Sequence, residues 1–194
     1  MIGAAWEIMP RTTLYGGYHQ GITPHITRGP AFPLPDERGD NFQAGVRSTA
    51  FKGLSFDIAY FHSDIDNYQT KSPSAPDGGN NIYGALDKVR IDGVELGTRV
   101  DTQPHTGGPW NFFGEAVYTY ANSRVRRGVD GEGEDASGKL VPEVPRHYAN
   151  LTLGIAHAMG WDASVTWTYR GGFFTDIANE RGLEVDDGEV ESGI

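Results

Sequence analysis

Apolar and polar residues alternate with period two along eight segments of the chain, and the stretches joining those segments run short, long, short, long to the end. The connections span residues 9–11, 21–40, 50–53, 67–84, 101–109, 123–146 and 158–160, followed by a tail from residue 171. Connections beyond about 12 to 15 residues are uncommon inside compact domains. Repeated long ones, always on the same side, are what an up-and-down β-barrel builds, with tight turns on one rim and long loops on the other. A two-sheet sandwich supplies no cause for that regularity.

The segment 161–170 shows the alternation most cleanly. Trp161, Ala163, Val165, Trp167 and Tyr169 share one face, opposite Asp162, Ser164, Thr166, Thr168 and Arg170. Ala149, Leu151, Leu153 and Ile155 share a face in the segment before it, as do Leu54, Phe56, Ile58 and Tyr60 earlier. Residues 42–47 and 93–100 follow the same pattern, and strands also fit 2–8, 12–20 and 112–120. This predicts about eight antiparallel strands in an all-β chain, and no segment reads as a helix. In a barrel crossing a membrane, the apolar face meets lipid and the polar face lines the lumen. The membrane-facing residues are then Leu54, Phe56, Ile58, Leu151, Leu153, Ile155, Trp161, Val165, Trp167 and Tyr169. From Trp161 to Tyr169 the strand rises on the order of 20 Å, taking about 3.3 Å per residue and a tilt of about 40°. That matches the height of an outer-membrane apolar band with an aromatic ring at either border.

Composition narrows the function classes. Sixteen Lys and Arg against 26 Asp and Glu give a formal charge of -10, which opposes nucleic-acid binding. Much of that charge is local. The stretch from residue 171 onward carries Asp176, Glu180, Glu184, Asp186, Asp187, Glu189 and Glu191 against Arg181 alone. With no cysteine there is no disulfide framework, thiolate metal site or cysteine nucleophile. Glycine at 27 of 194 residues suits a β protein with many turns. No run approaches the roughly 20 apolar residues of a spanning helix, and residues 1–9 do not resemble a secretory signal. Strands that cross a membrane leave no such mark in average hydropathy.

Motifs for catalysis fail on inspection. The stretch from Gly133 to Lys139 matches most of a phosphate-binding loop, but Leu140 stands where Ser or Thr must meet magnesium. Val141-Pro142 cannot open the helix that such a loop requires. Asp130, Glu132, Glu134 and Asp135 are spaced to hold a hard cation. They read more simply as a solvated loop, offset by Arg124, Arg126, Arg127 and Lys139. The six histidines show no paired metal-ligand spacing, and there is no nucleophile elbow. Asn150-Leu151-Thr152 fits a glycosylation signal but lies inside a strand. Nothing points to an enzyme or to a bound cofactor.

Several segments resemble one known family. Asn41-Phe42-Gln43-Ala44-Gly45-Val46-Arg47 is similar to the "N-x-E-x-G-x-R" strand of TonB-dependent outer-membrane receptors, and a short turn, a strand and the exit Asp64-Ile65-Asp66-Asn67 follow in the family's order. Asp92-Gly93-Val94-Glu95-Leu96 resembles the "G-x-E" strand, and Tyr118-Thr119-Tyr120 the "Y-T-Y" strand exit. Val141-Pro142-Glu143-Val144-Pro145-Arg146-His147 resembles the "V-P-x-V-P-R-H" approach to the next strand, and Tyr18 to Pro24 the "G-F-S-P" strand end. Each is short; their order along most of the chain gives them weight. Within the family the ferric dicitrate type is nearest in character.

The resemblance implies a 22-stranded barrel closed by a separate plug domain, of which residues 1–194 would supply about eight strands and no plug. It implies a receptor in the outer membrane of a Gram-negative bacterium, in contact with outer-membrane lipid and lipopolysaccharide. Such a receptor takes up a ferric siderophore or ferric citrate with energy from TonB, ExbB and ExbD, which act through the absent N-terminal part. Long loops would form the ligand vestibule. Anionic iron complexes call for arginine, so the candidate ligand contacts are Arg47, Arg99 and Arg170 by alternation. Arg28, Arg126, Arg127 and His25 join them from the loops. Against this stands pairing of the lumen arginines with Asp57, Glu95, Glu115 and Asp162. Two other readings stay open: a complete eight-stranded outer-membrane barrel with a structural or adhesin role, and a soluble carbohydrate-binding β-sandwich.

Overall fold

A computed structural model describes residues 1–24, 35–71, 83–129, 133–175, 177 and 179. Eight strands follow one another: β1 (Ile2–Met9), β2 (Thr12–Thr23), β3 (Glu37–Ser48), β4 (Leu54–Lys71), β5 (Tyr83–Asp101), β6 (Trp110–Arg127), β7 (His147–His157) and β8 (Trp161–Arg170). They form a single antiparallel sheet in chain order, β1 to β8, so each strand pairs with its sequence neighbours. The all-β up-and-down order expected from the alternation is the order observed. There is one layer, which removes the sandwich reading. β1 and β8 are the two edges rather than a pair, whereas a closed eight-stranded barrel needs them joined.

Two corrections concern element bounds. The strands next to the long connections run further than alternation suggests: β4 continues to Lys71, β5 already begins at Tyr83, and β6 continues to Arg127. The expected loops 67–84 and 123–146 are shortened accordingly. Asp64 to Lys71 has only Ile65 and Tyr68 as large apolar residues, three apart, so it carries no period-two signal, yet its backbone pairs continuously with Tyr83 to Arg90 apart from Asn67. Asn67 itself takes φ 56. The second correction is a single helical turn, α1 (Gln103–Thr106), inside the connection expected to be plain turn. It ends at Gly107 with φ 64, the left-handed conformation that glycine adopts freely.

Register sorts the side chains into two chemically opposed faces. On one, Trp6, Leu14, Val46, Ile58, Leu96, Tyr118 and Ala149 lie in successive directly opposed pairs, and Leu151 meets Trp167. This face carries aromatics at two levels. At the short-turn rim Trp110 packs edge-on against Trp161, with ring centroids 5.0 Å apart and His157 beside them. Toward the long connections, Tyr18 donates to Asp40 at 2.5 Å and Tyr60 to Asp92 at 3.0 Å, while Tyr118 bonds His147. A phenol ring with its hydroxyl held in a polar layer is the usual occupant of an apolar–aqueous border.

The opposite face is polar, and glycine there has a packing role. Tyr15 lies across from Gly45, Phe61 across from Gly93 and Phe113 across from Gly154. Each ring occupies the space a Cβ on its glycine would need. An aromatic laid over a facing glycine restores the packing that the missing side chain gives up. Gly97, on the same face, has open space above it. Gly93→Val is therefore expected to lower the folded fraction, costing about 1 to 3 kcal/mol through overpacking against Phe61. Gly97→Ala should be neutral. Heat-modifiable migration of the two variants in SDS gels checks the difference.

Candidate functional site

The polar face concentrates its charges near the short-turn rim. Arg47, the penultimate residue of β3, donates to Asp57 at 2.6 Å, and Tyr15 donates to the other oxygen of that carboxylate at 2.5 Å. The guanidinium lies 5.5 Å from the centre of the Tyr15 ring. Two strands away Arg99 grips Asp101 with two hydrogen bonds of 2.8 Å and also reaches Glu115. It lies 4.9 Å from the Phe113 ring centre, and Asn111 donates to Asp101 beneath it. The two arginines border a depression of about 380 Å³ floored by Gly97. Glu95 adjoins it and makes no hydrogen bond or ion pair among the described residues. Three carboxylates, Asp57, Asp101 and Glu115, thus meet two guanidinium groups, and with Glu95 beside them this part of the wall is net negative.

At the far end of the same face, the chain after β6 folds back over the sheet. Ala136, Val141 and Ile177 are buried against Leu86, Val89 and Val125, with Tyr68, Ile91 and Val144 packed around them. The backbone continues the ladder that β7 leaves: Gly138 N donates to Val125 O at 2.8 Å, and Val125 N to Lys139 O at 3.0 Å. The segment after β8 ties onto this one. Asn179 accepts from Leu140 N at 2.6 Å and donates to Leu140 O at 2.9 Å, and Glu143 N donates to Phe174 O at 2.8 Å. Two connections that are separate in sequence thus form one cap with a small apolar core. Within it the Ser137 hydroxyl, and then the Ser137 N–H at 2.9 Å, donate to Asp135 and hold its carboxyl below the usual carboxylate range.

The candidate arginines are not brought together. Arg47 and Arg99 sit in ion pairs near the short-turn rim, where the carboxylates expected as their partners include Asp57 and Glu115. Arg170 ends β8 at the opposite rim, its guanidinium 4.3 Å from the Phe173 ring centre and in reach of Glu143 O. Arg127 pairs with Asp87 at 3.2 Å on the other side of the sheet from Val125, and Arg126 is exposed at the irregularity beside it. His25 and Arg28 lie outside the described residues, as do Asp130 and Glu132 of the cation-binding candidate. Among the described residues no group of three acids or histidines is placed to hold a metal ion. The residues expected to face lipid share one face: Leu54, Phe56 and Ile58 oppose Val100, Thr98 and Leu96. Leu151, Leu153 and Ile155 oppose Trp167, Val165 and Ala163, with Trp161 and Tyr169 in the same rows.

Sequence reasoning passed over the cap and Asp101. The Arg99–Asp101 spacing, i to i+2 on one strand face, was the available signal for the ion pair. The cap had none, since Asn179 and Leu140 are 39 residues apart. It also passed over Arg146, whose buried Nε has no hydrogen-bond partner among the described residues. Asn179→Ala removes both bonds to Leu140 and leaves its N–H and C=O unpaired, about 1 to 3 kcal/mol of local stability. The expected outcome is faster proteolytic cleavage within 133–146 on intact cells, with the strands still protected.

Comparison with known proteins places this geometry. The family described as TonB dependent receptor-like, beta-barrel matches residues 1–188. No curated protein matches the sequence directly. Among solved structures, the siderophore receptor PiuA from Acinetobacter baumannii superposes with a TM-score of 0.65 at 18% identity, over 91% of this chain and 26% of its own. The ferric citrate transporter FecA, unliganded, gives 0.63 at 19% identity, over 91% and 26%. The copper transporter OprC gives 0.60 at 19% identity, over 87% and 25%. The chain spans about a quarter of the length of these structures.

Proposed function

Because the chain belongs to the TonB-dependent receptor β-barrel family, a family of the Gram-negative outer membrane, we propose that it forms part of the wall of an active transporter for a small iron complex, a ferric siderophore or ferric citrate. The observation that carries the reading is the two-faced sheet with unequal rims. An apolar face bounded by two aromatic levels suits lipid, and a polar face suits a lumen. The long connections all leave from one rim, where they would form the ligand vestibule. The remaining strands and a plug domain would come from outside residues 1–194, and TonB with ExbB and ExbD would supply the energy through the plug. The protein would work by conformational change, not catalysis, and needs no resident cofactor. That the similar structures are named for a siderophore, for ferric citrate and for copper leaves a chelated transition metal as the broader substrate class.

Ion pairing assigns different work to the candidate arginines. Arg47 and Arg99 are held by carboxylates and aromatic rings, so they would stiffen the wall. Arg170 and Arg146, near the cap, are better placed to meet an anionic complex from outside.

Uptake of radiolabelled ferric siderophores, ferric citrate and chelated copper, compared between a strain carrying the gene and its deletion, tests the transport reading. Uptake of one complex should vanish on deletion and on collapse of the proton gradient; uptake of all three unchanged would defeat it. The wall itself is tested by single cysteines, a clean probe in a chain without any. Cysteine at Leu151 or Val165 should react with a membrane-soluble maleimide only, and at Thr152 or Thr166 with a water-soluble one.

A further inference from the structure

Arginines on this sheet divide by whether an acid holds them. Arg47, Arg90, Arg99 and Arg127 each pair with a carboxylate. Arg170 has neutral partners among the described residues, the Phe173 ring at 4.3 Å and Glu143 O at 3.4 Å. Arg146 makes no side-chain hydrogen bond or ion pair among them, and its Nε is buried.

Backbone pairing brings these two together. Ala121 N donates to Arg146 O at 3.0 Å and Gly171 N to His147 O at 2.7 Å, so the ladders on both sides of β7 run on toward the cap. Tyr148 lies directly opposite Arg170, which puts Arg146 on the diagonal, about 7–8 Å away between Cβ atoms. His147 turns outward to Tyr118, so alternation turns Arg146 inward, to the same face as Arg170. A guanidinium that gives up water at its Nε without gaining a partner is a cost to the fold, and a bound anion would offset it. The carboxylates that hold Arg47 and Arg99 stand at the opposite rim and are engaged there.

We propose that Arg146 and Arg170 form an inward-facing clamp for uncoordinated carboxylates of the transported complex, which makes the substrate class a polycarboxylate iron chelate. The clamp rests on the transport reading and narrows it. A carboxylate presents two coplanar oxygens that a planar guanidinium binds in parallel. Two such groups on diagonal positions suit two carboxylates of one small chelate. A neutral trihydroxamate complex offers them no charge, and a catecholate complex, although anionic, keeps its donor oxygens on the metal.

The test uses the receptor extracted from outer membranes in mild detergent, with ferric citrate and a neutral ferric trihydroxamate as probes, read by titration calorimetry and thermal unfolding. Ferric citrate should bind and raise Tm, and the trihydroxamate should do neither. Arg146→Gln should weaken ferric citrate binding about tenfold or more, the loss of one charge-assisted pair, and Arg146→Lys, which keeps the charge without the fork, should weaken it less. Without ligand, the Tm of Arg146→Gln should equal that of the parent, because no partner is lost. A fall in that Tm would assign Arg146 a structural role and overturn the proposal. Unchanged ferric citrate binding when Arg146→Gln and Arg170→Gln are combined, or preference for the trihydroxamate, would overturn it too. Cellular uptake keeps the two readings apart. Uptake of another iron or copper complex without ferric citrate binding removes the clamp alone, whereas uptake of no complex removes the transport reading beneath it.

Discussion

In hydrocarbon a peptide group has no water to turn to, so each N–H and C=O must find its partner within the sheet. That constraint orders everything else described above. It fixes the strands in continuous ladders, and the ladders fix register; register, with a side-chain period of two, sends alternate residues to opposite faces. A slip of one residue would carry Leu151 and Leu153 to the polar face and Thr152 and Thr166 to the apolar one. The Thr152–Thr166 hydrogen bond of 2.8 Å and the Asn150–Thr168 bond of 2.6 Å help hold that register from the polar side. On the outward side Trp110 and Trp161 do the same.

Reading the sequence worked where this constraint acts and weakened where it stops. Within the band between the aromatic levels each residue is committed to one solvent, so periodicity exposes the strand and even its face, as at 149–155 and 161–169. Beyond the band the outward face of β4 and β5 is charged and the inner one is covered by the cap, where Tyr68, Leu86 and Val89 pack, and Asp64 to Lys71 looks like a loop although its backbone is paired apart from Asn67. The single turn Gln103–Thr106 escaped notice because four residues cannot display a helical period. It is held instead by contacts that alternation does not encode. His105 Nε2 lies 2.9 Å from Lys52 O in the neighbouring short turn, and Gly53, with φ 70, leaves room that a Cβ would close. The cap was illegible for a different reason. Its core joins Leu86, Val125, Val141 and Ile177 from distant parts of the chain, and no local pattern announces a contact of that kind.

Charge on the polar face was legible by sign and not by function. Alternation placed Arg47 and Arg99 on that face, and ligand chemistry made them attractive contacts for an anion. The structure gives each an acid at hydrogen-bond distance and an aromatic ring under its guanidinium. An arginine so held has little freedom to turn toward a ligand, and releasing it would leave Asp57 or Asp101 without its counter-charge, held only by Tyr15 or Asn111. With Glu95 and Glu115 added, the surface near the short turns favours a cationic neighbour over an anionic iron complex. In the proposed transporter an anion arriving from outside would meet the cap end first, where Arg146 and Arg170 lie.

The edges show how far this sheet can act alone. Every residue of β1 and every residue of β8 is exposed, and the outward side chains at those edges include Trp6, Val165 and Trp167. An apolar edge strand in lipid cannot be blunted by charge or water as a soluble one is; only another strand satisfies it. Joining β1 to β8 directly would close a barrel whose interior is just wide enough for side chains to fill. The polar face instead carries its cap and a depression of about 380 Å³ between two ion-pair networks, features that need room in front of them. The proposed larger barrel meets both demands at once, since added strands would satisfy the edges and widen the space that the polar face overlooks.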